Sequence, residues 1–382
     1  MKTAIWLYLF MFVAFFDLHA QYPILSPFAL SLGAAPSFIG FILGMYSITH
    51  IPGNLIAGYA VDRYGSKRFI IISLILGGII LLFQSHVTNP WQLLCLRSIS
   101  GFVLAFLSPS CLAWLAKLAK NRTHQGKLMA GNGLIHTLAS VVSPAAGALL
   151  VAKLGFTLSF TILGWGLIAT GLLAIFGIKE TTYLLNLKNS PTALEQQEAD
   201  ELQNHASVPW LFFGIPLALS CSQGILFFEL PLMQVTQHSI LTSGILFSLV
   251  SLGALLTLSM FFLNRFAAFL RIVYGCLALA LIFFGMAVHW LIPLSVSLFM
   301  IGMSKGVIYP AIATLLAGLT GSGRYGRIFS LLSIAYSIGA FIGPVAAGQL
   351  RMGTSPFFLA FIALMLGLIA LPIHKYRMLV SI

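Results

Sequence analysis

Four ionisable side chains stand inside long apolar stretches of the sequence: Asp17, Arg97, Glu229 and Lys305. A charge at the centre of a bilayer costs about 2.5–3.5 kcal/mol or more, so such residues pair with one another or mark proton and ligand pathways. Loss of water favours the protonated form of a carboxyl group. Such a group can bind a proton on one side of a membrane and release it on the other. We therefore predict that Asp17 and Glu229 take part in proton coupling.

Two alternatives to proton coupling remain open for these carboxyl groups. Asp17 can instead form a fixed ion pair with Arg97 or Lys305, because intramembrane charges tend to pair. Glu229 stands two residues before Pro231 and is equally suited to be a gate residue at the outer rim of the bilayer.

Histidines and an aromatic hydroxyl accompany these charges. Imidazole titrates near neutral pH, although a single interior histidine is more often simply hydrogen-bonded. Arginine and lysine can receive carboxylate or phosphate groups. We expect the two acids and the two bases to line a central cavity, together with further polar residues. The predicted cavity residues are His19, His50, Arg97, His136, Lys305 and Tyr309.

The elements that position these residues are apolar helices. The chain of 382 residues is 59% hydrophobic and only 7% charged, whereas a soluble domain is about 25% charged. A helix that crosses the bilayer needs about 20 mostly apolar residues. The sequence predicts an all-α integral membrane protein with twelve such spans. They lie near residues 4–27, 37–60, 69–87, 91–116, 128–151, 156–178, 208–230, 240–263, 270–288, 291–318, 327–349 and 355–374.

The distribution of lysine and arginine predicts the orientation. With the N-terminus inside, sixteen basic residues fall on the cytoplasmic side and only Lys153 and Arg351 on the other. Basic loops are typical of the cytoplasmic side. We therefore predict an inner (plasma) membrane protein with both termini in the cytoplasm. The net charge of +12 is assigned to the anionic membrane surface and not to nucleic acid.

The two halves of the sequence repeat the same spacings of glycine and proline. Gly101 precedes Pro109 by eight residues, and Gly302 precedes Pro310 by eight. The interval from Pro27 to Gly40 recurs as Pro231 to Gly244, and that from Gly126 to Pro144 recurs as Gly326 to Pro344. Two parallel six-helix units imply a pathway between them and alternating access. The predicted divisions are residues 1–178, a cytoplasmic loop at 179–207, and residues 208–382.

A charged stretch, GYAVDRYGSKR, connects spans 2 and 3 at residues 58–68. It resembles the loop between helices 2 and 3 of major facilitator superfamily transporters, and the resemblance extends over essentially the whole chain. Asp62 is expected just ahead of span 3, and Gly65 is expected in a tight turn. The resemblance implies a charged latch that forms when the cytoplasmic side closes, whereas the alternative is that these charges only set topology. The matching residues are Gly58, Asp62, Arg63, Gly65, Lys67 and Arg68.

Two further segments bear on the direction of transport. ASVVSPAAG in span 5 and GAFIGP in span 11 resemble the glycine–proline motif of family members that export by antiport. Such residues permit helix bending, and helix packing alone is the alternative. The positions concerned are Pro144, Gly147, Gly339, Gly343 and Pro344.

These features together predict a secondary transporter that moves a small amphiphilic solute by proton-coupled efflux. A drug, a metabolite or a siderophore-like compound fits this description. The alternative is an importer of a solute or siderophore; a membrane enzyme or a non-transporting sensor is less expected. The sequence has no GxxxxGK[ST] P-loop. The four cysteines have no metal-ligand or disulfide spacing. We expect no enzyme activity, cofactor or metal, a small-molecule substrate with protons and lipid as partners, no nucleic acid, and a monomer.

Overall fold

The computed structural model describes residues 2–119, 122–177, 210–237, 239–319 and 325–371. In those residues the regular structure is helical. The first half comprises the helices Lys2–Ala20, Tyr22–Ser31, Pro36–Tyr64, Ser66–Gln84, Pro90–Leu104, Leu107–Lys117 and Arg122–Gly177. The second half comprises Gly214–Glu229, Gln234–Gln237, Ile240–Ser259, Ala268–Ala287, Leu294–Leu319, Tyr325–Leu350 and Pro356–Ile369, with short 3₁₀ turns at Trp210–Phe213, Leu230–Leu232 and Phe261–Arg265.

These helices account for the twelve predicted spans. Ten segments of the described residues are long and apolar enough to cross a membrane, and the helix Pro356–Ile369 is a shorter apolar one. One of the ten, within Arg122–Gly177, contains two spans that meet at Gly155, whose φ of 78° is readily adopted only by glycine. The predicted all-α membrane architecture is therefore confirmed. The predicted loop 179–207 lies outside the described residues, and the division into two bundles stays a prediction.

The connection between spans 2 and 3 is shorter than the sequence indicated. The helix of span 2 continues to Tyr64, and span 3 begins at Ser66. Gly65 alone separates them, with φ 89° and ψ 148°, a conformation that a side chain would strain. Asp62 precedes the start of span 3, but the predicted end of span 2 near residue 60 is too early. Asp62 and Arg63 belong to the last turn of span 2.

Span 1 is broken where it carries its polar residues. The helix Lys2–Ala20 stops, and a second helix starts at Tyr22 with Pro23 in its first turn. Proline lacks an amide hydrogen, so it fits a helix start and not a helix interior. Gln21 stands at this break, one helical turn after Asp17.

Several glycines lie in close contacts between the two halves. Gly40 of span 2 faces the carbonyl of Pro344 in span 11, and Gly244 of span 8 faces the carbonyl of Pro144 in span 5. Gly348 likewise packs on the carbonyl of Pro36. Small residues allow helix backbones to come this near. These contacts lie at the ends of the spans opposite Gly65, so we call the two faces of the bundle the Gly65 side and the opposite side.

Candidate functional site

A cavity of about 990 Å³ lies between the two halves of the chain. Its walls come from spans 1, 2, 4 and 5 of the first half and spans 7, 8, 10 and 11 of the second. Along span 8 the lining extends to Ser259, the last residue of that helix, so the cavity reaches toward the Gly65 side. Its polar lining residues include His19, Gln21, Tyr22, Tyr46, Arg97, Asn132, His136, Thr137, Gln223, Lys305, Tyr309 and Tyr336.

Aromatic side chains close the opposite end of this cavity. The rings of Tyr22 and Phe227 stack across the two halves with their centroids 3.9 Å apart, and Phe247 lies edge-on to Phe227 at 5.6 Å. Phe41 and Phe341 meet in a similar way at 6.1 Å. Together with the glycine contacts, these rings separate the cavity from the opposite side. The cavity is therefore bounded by aromatic rings at the opposite side and extends toward the Gly65 side.

Asp17 and Arg97 are joined through the side chain of Gln21. The Gln21 amide nitrogen donates to both carboxylate oxygens of Asp17 at 3.0 Å, and the Gln21 oxygen accepts a hydrogen bond of 2.9 Å from Arg97. All three residues are buried. Residues four apart share one helix face, so the span-1 helix places Gln21 over Asp17. The geometry is neither a direct ion pair nor an unpartnered carboxylate.

Arg97 is also held by an aromatic ring. Its guanidinium carbon lies 4.5 Å from the centre of the Tyr46 ring of span 2, within the range of a cation–π interaction. Its Nε atom is buried and has no hydrogen-bond partner among the described residues. Arg97 therefore lines the cavity while its guanidinium group is held by Gln21 and Tyr46.

Glu229 is engaged by a residue that sequence analysis assigned only to topology. Arg351 binds it through Nε at 2.8 Å and Nη2 at 3.2 Å, and the same Nη2 donates to the carbonyl of Leu232 at 2.9 Å. Glu229 and Arg351 both belong to the second half of the chain, and their ion pair lies at the opposite side of the bundle. The sequence could have indicated this ion pair, because Arg351 and Glu229 both stand near the ends of predicted spans on the same side of the membrane.

Neither acid lines the cavity, and the prediction of two acids and two bases there is wrong. Gln21 is among the lining residues, whereas Asp17 lies behind it, and Glu229 is bound by Arg351. Arg97 and Lys305 both line the cavity. The cavity of the described residues is therefore lined by cations without carboxylates.

Lys305 and Tyr309 stand one turn apart on span 10. The Lys305 ammonium lies 5.9 Å from the centre of the Tyr309 ring, and the Tyr309 hydroxyl donates to the Gln223 oxygen of span 7 at 2.9 Å. The salt bridge found among the described residues joins Arg351 to Glu229. No described carboxylate therefore forms a salt bridge with Lys305.

The three predicted histidines do not share one location. His19 and His136 line the cavity with their rings 5.1 Å apart, and the Nδ1 of His19 lies 2.7 Å from the carbonyl oxygen of Phe15, which requires it to donate. His50 lies instead in a separate recess of about 70 Å³. It contacts Asn54 at 3.2 Å, which also donates to Ser333 of the other half. The position of His50 thus differs from the prediction, because the helix of span 2 turns it away from the cavity.

The charged motif lies at the Gly65 side. Arg63 donates to the Tyr59 hydroxyl at 2.8 Å and lies over the Tyr64 ring at 5.4 Å, so these partners share its own helix. Gly58 has open space around its α-carbon, and Arg68 is exposed. The side chain of Asp62 lies outside the described residues. The latch stays a prediction.

The glycine–proline segments serve as packing surfaces. Pro144 and Pro344 lie inside uninterrupted stretches of helix. Gly147 packs on Ala20 of span 1, whereas Gly339 and Gly343 pack on the carbonyls of Leu217 and Cys221 in span 7. Among the described residues, no cluster of three His, Cys, Asp or Glu side chains offers a metal site.

The sequence is similar to those of bacterial proteins named as multidrug efflux or resistance proteins. A multi-drug resistance efflux pump PmrA homolog of Lactococcus lactis subsp. lactis (strain IL1403) is 24% identical over 351 residues, which are 86% of this chain and 83% of the relative. Multidrug resistance protein MdtG of Salmonella arizonae is 32% identical over 148 residues, which are 37% of this chain and 35% of that protein.

Solved structures show the same fold at low sequence identity. A crystal structure of the peptide transporter POT in complex with sulfate aligns with a TM-score of 0.75 and 14% identity, over 98% of this chain and 94% of the other. The inward-open xylose transporter XylE from E. coli aligns with a TM-score of 0.70 and 14% identity, over 99% and 96%. Residues 7–344 match the sequence profile of the Major Facilitator Superfamily. The chain therefore belongs to the major facilitator superfamily, and it is a membrane transport protein and not an enzyme.

Proposed function

We propose that this protein is a secondary active transporter that exports a small amphiphilic solute across the inner membrane in exchange for protons. The observation that carries this proposal is the cavity between the halves, which is closed at the opposite side by the Tyr22–Phe227 stack and extends toward the Gly65 side. A carrier that works by alternating access requires such a site between two bundles. The names of the relatives from Lactococcus and Salmonella favour export.

Asp17 is the proposed proton site. A charged carboxylate accepts both hydrogen bonds from Gln21, whereas a protonated carboxyl group becomes a donor at one oxygen. Protonation of Asp17 therefore removes one of the two acceptors of the Gln21 amide nitrogen. The oxygen of the same Gln21 side chain accepts a hydrogen bond from Arg97 at the cavity wall. Proton binding at a buried position is in this way linked to the charge that a solute meets.

A comparison of metabolites in cells and medium tests this function. Cells would produce the wild-type protein, the Asp17→Asn variant, the Cys95→Ser variant at an exposed position as a control, or none, at equal membrane levels. We expect one or more compounds to be enriched in the medium with the wild type and with Cys95→Ser only. Equal enrichment with Asp17→Asn would remove Asp17 from the coupling mechanism.

A second candidate is uptake of an anionic solute together with protons. The observation that favours it is the cationic lining, which contains Arg97 and Lys305 and no acidic residue of the described chain. In the same experiment, this candidate requires the compound to accumulate inside the cells that carry the wild-type protein.

A further inference from the structure

The cavity carries a positive charge that no described acidic residue balances. Of the eight acidic residues in the sequence, five stand in the stretch 179–207, and Asp62 belongs to the last turn of span 2 at the Gly65 side. The remaining two are Asp17 and Glu229. Asp17 is linked to Arg97 through Gln21, and Glu229 is bound by Arg351. One positive charge, that of Lys305, is left over at the cavity wall.

The neighbours of Lys305 do not compensate for its charge. Tyr309 offers an aromatic face at 5.9 Å, which is a weak attraction for an ammonium group. His19 and His136 lie close enough for the Lys305 charge to act on their rings, and imidazoles are neutral or positive. A charge at the wall of a cavity within the bilayer is stabilised by a partner of opposite sign.

The remaining walls of the cavity suit an aromatic body. Tyr22, Phe227, Phe247 and Tyr336 contribute rings to the same cavity, and Gln223 and Tyr309 contribute polar groups near Lys305. A volume of about 990 Å³ accommodates a drug-sized molecule. Apolar walls with a few placed polar groups are typical of small-molecule sites.

We propose that the cavity binds an organic monoanion, with an apolar or aromatic body and a carboxylate, sulfonate or phosphonate head group that contacts Lys305. This inference rests on the proposed function and names the substrate class of the same site. A single negative charge balances Lys305, because the charge of Arg97 is already balanced by Asp17 through Gln21.

Three probes that share a naphthalene ring and carry a negative, a neutral or a positive head group test the proposal: naphthalene-2-sulfonate, naphthalene-2-sulfonamide and 2-naphthylmethylammonium. Binding to the purified full-length protein in detergent is measured at pH 7 from the ligand-dependent rise of the thermal unfolding midpoint. A hydrogen bond between two ionised groups is stronger than one with a neutral partner, so we expect the sulfonate to bind at least about tenfold more tightly than the sulfonamide. The ammonium probe is expected to bind most weakly.

Substitutions assign the preference to Lys305. We expect Lys305→Gln to reduce sulfonate affinity by about tenfold or more, to leave sulfonamide affinity unchanged, and we expect Lys305→Arg to retain the preference. Lys153→Gln makes the same chemical change at an exposed position far from the cavity and should have no effect. A sulfonate preference that survives Lys305→Gln overturns the role of Lys305.

The wild-type protein alone already tests the charge preference, so the proposal does not depend on the folding of a variant. Equal affinities for the three probes, or tightest binding of the ammonium probe, overturn it. The measurement involves no flux and therefore separates the two proposals. Sulfonate binding without any transported compound would contradict the proposed transport, whereas solute export without an anion preference would contradict only the present inference.

Discussion

The Gln21 amide donates to both carboxylate oxygens of Asp17, at 3.0 Å each, and stands between that carboxylate and the cavity. The other end of the same side chain holds Arg97. Asp17 and Arg97 are therefore neutral as a pair, and protonation of Asp17 leaves the positive charge of Arg97 unbalanced at the cavity wall.

The second candidate, uptake of an anion together with protons, predicts that protons and an anion bind cooperatively. The affinity for naphthalene-2-sulfonate, which stays ionised over the accessible pH range, should rise as the pH falls, because protonation of Asp17 adds a net positive charge near the site. Coupling between two ligands is typically 5–150-fold and is reciprocal. Binding measured between pH 5 and pH 8 checks this expectation.

The Asp17→Asn variant isolates the contribution of Asp17 to that pH dependence. Asparagine is neutral like the protonated acid, so we expect high sulfonate affinity at every pH. Any slope that remains belongs to His19 and His136, the other titratable groups that face Lys305. Sulfonate affinity that rises as the pH falls would therefore support uptake and contradict the proposed export, whereas affinity that falls with decreasing pH would support exchange and export.

Gln21→Leu is expected to destabilise the protein. Leucine has a similar size but leaves the buried groups of Asp17 and Arg97 without this partner, and each unsatisfied buried group costs about 1–3 kcal/mol. The thermal unfolding midpoint of the purified protein should fall by several degrees. Gln234→Leu, at an exposed position, is the matched control, and an equal change in both variants would contradict the bridging role of Gln21.

Glu229 and Arg351 are expected to stabilise the opposite side of the second half. Removal of one partner leaves the other partly buried without its ion pair, so Glu229→Gln and Arg351→Met should each lower stability by about 1–3 kcal/mol. The double variant should cost less than the sum of the two. If the losses of stability in the two single variants add up to that of the double variant, the ion pair contributes little to stability.

The same variants test the predicted proton role of Glu229. Because Arg351 occupies the Glu229 carboxylate, we expect Glu229→Gln to keep most of the proton-driven flux that Asp17→Asn loses. Loss of that flux in Glu229→Gln, at equal membrane levels, would restore Glu229 as a proton carrier.

Alanine at Gly40 is expected to weaken closure at the opposite side. An added methyl group would meet the carbonyl of Pro344, a backbone atom that cannot move aside cheaply. Ser251→Cys, a reporter at the cavity wall in a background without the native cysteines, should then react several-fold faster with a membrane-impermeant thiol reagent applied from that side.

Gly166→Ala provides the control for this experiment, since nothing lies within 4 Å of an added methyl group there. Alanine favours a helix over glycine by about 1 kcal/mol, so this variant should be neutral or more stable and should leave labelling unchanged. Gly244→Ala, which meets Pro144 in the related contact, should behave like Gly40→Ala.

The repeats in the sequence correspond to contacts between the halves. Gly40 and Gly244 occupy equivalent places in the two repeats, as do Pro144 and Pro344, and each glycine meets the proline of the other half. The spacing pointed to a duplicated unit. It did not indicate that each glycine contacts the proline of the other half, because that depends on how the two halves pack.

Sequence by itself determined the number of spans, their helical character and the presence of charges within them, because hydropathy is a property of each local segment. Tertiary structure decided that Gln21 covers Asp17, that Arg351 binds Glu229, that His50 lies off the cavity, and that Lys305 faces it without an acid among the described residues. The physical reason is geometric. The partner of a buried charge depends on the rotation of each helix and on its neighbours, and residues such as Arg97 and Gln21, 76 positions apart in the chain, meet only in the folded bundle.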